Sequence, residues 1–238
     1  MSTKGYLLAC VLSVGLLSAV SAEAAVIVGP DPAQTWNGFM NVFELPSNGG
    51  GFVFNSGWGT ADLTATFAGN VLTLGPNSVN DPDPFWYQGG GGPGHPGNKN
   101  MDANMYVQSE SLSGQNVTFT GTVLSNTLIS PYTSVAFIKD FAPDFSSFQQ
   151  ITAPLTPGVF SISLDTLSGA GRHVQYGFET IGPNVWSTDR GPVGEVKVTG
   201  VPEPAGAALL AVAGAALLRR RGRRATATAA ATATAAAA

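Results

Sequence analysis

The chain has 238 residues with 11 Lys and Arg against 15 Asp and Glu, two histidines and a single cysteine. Its formal charge is −4, and the excess of acid grows to −8 once the two ends are set aside, which disfavours nucleic acid and other polyanions as partners. One thiol excludes a disulfide framework and a thiolate metal site, so stability has to come from burial.

Residues 1–24 begin with one early cation, Lys4, continue as an apolar stretch from Tyr6 to Val20, and end on small residues at Ala22 and Ala24. That order is the pattern of a secretory signal peptide with an A-x-A cleavage rule, cut after Ala24 or, alternatively, after Ala22. Cys10 falls inside the discarded segment, which leaves the exported chain without cysteine. The stretch from Ala25 to Gly200 then carries five Lys and Arg against thirteen Asp and Glu, a net of −8, and its length suits one domain with a real core. Neutral glycans and cations remain open as partners. His95 and His173 lie far apart in sequence, so no zinc site is expected.

Within this stretch alternation with period two recurs and helical periodicity does not. Val117, Phe119 and Val123 point one way while Thr118, Thr120 and Thr122 point the other, as a half-buried strand requires. The same reading gives strands around Leu63 to Phe67, Phe160 to Leu164, Val174 to Phe178 and Val196 to Val198, with Ser134 to Ile138 as a central strand. Further strands are expected at 25–28, 35–44, 51–55, 71–74 and 103–108, and Gly69-Asn70 reads as a hairpin turn. Roughly ten short strands separated by Gly, Pro, Asn, Asp and Ser predict an all-β, antiparallel, jelly-roll-like β-sandwich over residues 25–200. The run from Gly171 to Gly200 is similar to the closing strands of carbohydrate-binding-module sandwiches.

Residues 79–100, VNDPDPFWYQGGGGPGHPGNKN, form a long loop, and such loops in compact domains are commonly functional. Asp81 and Asp83 sit between prolines, followed by Phe85, Trp86 and Tyr87 in a row. An indole or phenol face can stack on a sugar ring while carboxylates bind its hydroxyls, so Asp81, Asp83, Trp86 and Tyr87 are candidate ligand-binding residues. The competing reading is that Trp86 or Phe85 plugs one end of the sandwich and the glycines form a tether. Lys139, Asp140 and Asp144 sit in KDFAPDF, where carboxylates could offer oxygens to Ca2+, although the D-x-D-x-D-G spacing is absent and solvated loop charges are the simpler reading. Trp36, Trp58 and Trp186 read as core aromatics at strand ends. No G-x-S-x-G, H-E-x-x-H or P-loop occurs, and thirteen acids allow a glycosidase pair without indicating one. A noncatalytic domain is therefore expected, with no catalytic residue and no cofactor assigned.

The C-terminal segment divides into a Pro202-Glu203-Pro204 triplet, an apolar run from Ala205 to Leu218, and a cluster of Arg219, Arg220, Arg221, Arg223 and Arg224. The prolines keep the backbone extended, the Ala/Leu/Val/Gly run favours helix and lipid, and the arginines hold that end in the cytoplasm. This arrangement resembles the PEP-CTERM sorting signal of Gram-negative bacteria. The resemblance implies processing by a membrane-embedded exosortase at the inner membrane and a destination at the cell surface or in an extracellular, polysaccharide-rich matrix. The apolar run has 14 residues, a helix of roughly 21 Å against a hydrocarbon core of about 30 Å. It spans only if the bilayer thins, the arginines snorkel or flanking residues are drawn in. Residues 225–238 form an Ala/Thr tail of low complexity.

Overall fold

The computed structural model describes residues 25–201. The expected signal peptide, the PEP triplet, the apolar run, the arginine cluster and the Ala/Thr tail lie outside the described residues.

Twelve strands form two six-stranded sheets. In chain order they are β1 (Val26–Val28), β2 (Asn37–Glu44), β3 (Phe52–Trp58), β4 (Ala65–Ala68), β5 (Val71–Leu74) and β6 (Lys99–Ser109). There follow β7 (Asn116–Asn126), β8 (Thr133–Phe141), β9 (Phe148–Pro154), β10 (Gly158–Asp165), β11 (His173–Pro183) and β12 (Val196–Thr199). One sheet runs β3-β2-β6-β11-β8-β9, every pair antiparallel. The other runs β4-β5-β12-β7, with β10 along the far side of β7 and β1 beside its first half. All its pairs are antiparallel except β1 with β7, which is parallel.

The expected alternation decides which face of each strand is buried. Val117, Phe119 and Val123 of β7 are at most 2% exposed, and Thr118, Thr120 and Thr122 look outward. Phe119 lies at the centre of the core, its ring 5.2 Å from those of Phe160 and Phe178 and 5.3 Å from Tyr176, in tilted and edge-on contacts that aromatic quadrupoles favour. Gly121 continues the inward series because a Cβ there would press on the Phe160 ring. Trp36 closes one side, stacked on Phe178 and edge-on to Tyr176, as expected for a core aromatic. The Gly69-Asn70 turn joins β4 to β5, with Ala68 opposite Val71 and Gly69 at φ 58°, the left-handed conformation a two-residue hairpin takes at its first position.

A buried ion pair ties one end of the fold together. Asp140 of β8 is fully buried; its Oδ1 accepts from Arg172 Nε at 2.9 Å, and its Oδ2 accepts from the Leu167 amide at 2.8 Å and Gln149 Nε2 at 3.1 Å. Removing one partner of such a pair costs more than the pair contributes, because it leaves a desolvated charge behind. Asp140 thus holds β8, β9 and the β10–β11 turn in register.

Candidate functional site

The loop at 79–100 is an ordered buttress. Asp81 and Asp83 are exposed, and each turns its carboxylate back on its own chain: Asp81 Oδ1 accepts from the Asp83 amide, and Asp83 Oδ1 from the Phe85 amide. Tyr87 is fully buried, with its hydroxyl against the carbonyls of Val79 and Val185. Burial raises the pKa of that phenol, which stays neutral. Trp86 is half-buried and meets Phe54 and Trp58 of β3 and the neighbouring Phe85 edge to face. Asn184, 1% exposed, donates to the Trp86 carbonyl and accepts from the Lys99 amide, pinning the loop to the end of β11. The four loop candidates therefore do not converge on one surface.

The Lys139, Asp140 and Asp144 trio is also dispersed. Alternation along β8 sends Lys139 outward and Asp140 into the sandwich, while Asp144 accepts from the amide and hydroxyl of Ser146 in its own turn. Those two bonds lower the Asp144 pKa. Among the described residues no three His, Cys, Asp or Glu side chains gather as a metal cluster.

The surface where chemistry does converge is the outer face of the sheet containing β6. In β6 the buried series Met101, Ala103, Met105 and Val107 alternates with Asn100, Asp102, Asn104, Tyr106 and Gln108. The outward rows of the neighbouring strands complete a groove of about 660 Å³. Phe39 and Asn41 come from β2, Gln175 and Glu179 from β11, Lys139 and Phe141 from β8, and Phe148 and Gln150 from β9. Phe145 and Phe148 at one end are about half exposed, and Phe145 lies flat against the His173 imidazole at 4.3 Å. At the other end a hollow of about 470 Å³ between Phe43, Pro46 and Asn100 shares Asp102 with the groove. From Asn100 to Gln108 the furrow follows β6 for roughly 26 Å at 3.3 Å per residue.

Two features of the backbone shape it. Gly177 of β11, paired with Tyr106 and Phe137, has no room for a side chain, because a Cβ would run into the Met105 carbonyl and the Tyr106 Cα. The floor is consequently low between those two rings. Phe137 is fully buried on this outward side because the Lys139 ammonium folds over its ring, 4.2 Å from the centroid.

The polar centre is a chain of charge-assisted bonds. Lys139 Nζ donates to Glu179 Oε2 at 2.8 Å and to Asn104 Oδ1 at 2.9 Å. Asn104 Nδ2 in turn donates to Asp102 Oδ1 at 2.7 Å, and Asn41 Nδ2 donates to Asp102 Oδ2 at 2.9 Å. Asn104 is 5% exposed, so its amide orientation is fixed by the cation on one side and the carboxylate on the other. Burial, reinforced by the nearby Glu179 charge, pushes the Asp102 carboxyl up to about 6 against the pull of Asn41, Lys139 and Asn104.

The structure thus defines an all-β domain of two sheets with an open, amide-rich and aromatic-flanked furrow across one of them. No family model, curated protein or solved structure matches the chain.

Proposed function

We propose that the chain is an exported surface or matrix protein whose jelly-roll-like sandwich binds polysaccharide along the furrow without transforming it. Export and sorting rest on the residues of the two ends: the signal-peptide pattern of residues 1–24, and the PEP-CTERM resemblance of Pro202, Glu203, Pro204, the apolar run and the arginines. The observation that carries the binding reading is the furrow itself. A continuous row of amides on β6 and its neighbours, flanked by Tyr106, Phe141, Phe145 and Phe148, offers hydroxyl-binding groups and faces on which sugar rings stack. An open trough across a sheet suits a polymer entering from the side better than it suits an enclosed small molecule.

A hydrolase is the second reading, favoured by Asp102 and Glu179 lining one groove from diagonal positions on paired strands. Lys139 pairs with Glu179, however, and so commits one carboxylate of the two to an ion pair within the sheet.

Electrophoresis of the full chain in detergent through gels containing soluble glycans tests the binding reading. Wild type is retarded by at least one polymer, and Tyr106→Ala or Phe148→Ala abolishes the retardation. Trp86→Ala lowers Tm but leaves retardation intact below the transition. Loss of retention with the Trp86 variant alone would move the site to the 79–100 loop. Release of reducing ends that disappears in Asp102→Asn would replace the binding reading with the hydrolase.

A further inference from the structure

We infer that the furrow selects glycans bearing free amines, with the ammonium of an amino sugar seated at Asp102. The inference rests on the polysaccharide reading above and specifies its ligand. Two carboxylates and one cation line the groove, and the cation is committed: Lys139 is bonded to Glu179 and Asn104. Glu44, at the far hollow, is likewise paired, with Lys99 at 3.1 Å. Asp102 has no cationic partner within ion-pair distance among the described residues, and it occupies the junction of the groove and the hollow.

The bonds that Asp102 does make dictate what kind of cation fits. Each of its oxygens accepts one amide N–H, so each keeps one acceptor site toward the furrow. Donor hydrogens beside both oxygens oppose a bare metal ion, which would require six or more oxygens around it. An ammonium needs only two or three acceptors on one side. One further acceptor lies beside the carboxylate: Asn41, paired with Asp102 across β2 and β6, has an Oδ1 that accepts from no described group. Glu179 and Lys139 are the charged groups facing Asp102 from β11 and β8, and Asn41 faces it uncharged from β2. A ligand cation would relieve the repulsion from Glu179 and replace the lost hydration, returning the Asp102 carboxyl toward its ordinary range.

Calorimetry at pH 6 with the full chain in detergent and three oligosaccharides of equal length tests this: glucosamine, N-acetylglucosamine and glucose oligomers. The glucosamine oligomer binds wild type about tenfold more tightly than the other two, a difference of about 1.4 kcal/mol. Asp102→Asn brings all three within about threefold. Repeating the titration in two buffers of different ionisation enthalpy shows proton release from the protein when the amine binds and none with the glucose oligomer, a wild-type readout independent of how the variant folds. Equal affinity for the amine and its acetylated form, with glucose still bound, overturns the inference and leaves the polysaccharide reading standing. Absence of binding by all three overturns both.

Discussion

Asp102 shows how one side chain ties the furrow to the stability of the domain. Its carboxyl titrates near 6 in the folded chain against 3.8 ordinarily, because burial and Glu179 penalise the charged form. A folded-state pKa above the unfolded one means that the native state holds the proton more firmly. Stability is therefore greatest below about pH 4, falls as the pH rises toward 6, and is level above that, with a total change of about 2 to 3 kcal/mol from this residue. Urea denaturation of wild type and Asp102→Asn at pH 4.5 and pH 7 checks it: the difference between the two proteins shifts toward the variant at the higher pH. A pH-independent difference would show that Asp102 is already ionised in the native chain at pH 4.5.

At the scale of single strands, β11 and β6 form the central pair of the sheet that carries the furrow, in unbroken register from Val174 with Ser109 to Pro183 with Asn100. Gly177→Ala forces these backbones apart, costs about 1 to 3 kcal/mol, and weakens glycan retardation through the displaced Tyr106. Thermal unfolding followed by the same gels measures both effects, and an unaltered Tm would contradict the tight approach of the strands. The strands were largely legible in the sequence: β7, β10, β11 and β12 keep the period of two, and Gly69-Asn70 marks its hairpin. β9, Phe148–Pro154, was not legible, because FQQITAP buries little of either face and ends on a proline, as an edge strand can. β1 gave no sign of its parallel pairing, since three residues carry no directional signal. The furrow escaped sequence reading because its parts come from six strands between Phe39 and Glu179, and strand order is a nonlocal property. One local signal existed: the outward series Asn100, Asp102, Asn104, Tyr106 and Gln108 is richer in amides than a merely solvated face needs. The row of aromatics at Phe85 to Tyr87 is the more conspicuous signal in the sequence, yet adjacent aromatics in one loop point in different directions.

For the whole molecule, the two ends and the domain between them make separate demands that one experiment can separate. Intact mass and cell fractionation of the native protein, compared with a variant altered at Pro202, Glu203 and Pro204, read out the sorting proposal. The native chain is expected to lose mass at its C-terminal segment and to leave the inner membrane, while the variant stays longer and membrane-bound. Identical masses and identical fractions would remove tail processing from the proposal without touching the furrow, which lies on the sheet that neither terminal strand joins.

That separation has a mechanical side. β12, the last strand before Val201, is four residues long and is paired with β5 and β7, while β1 lies against the other half of the same β7. Load applied through the C-terminus therefore falls first on a short strip that can peel away rung by rung. The sheet that carries the furrow feels that tension only after the strip has given way, so if the proposed tether and glycan contact hold, drag would be absorbed before it reached the furrow.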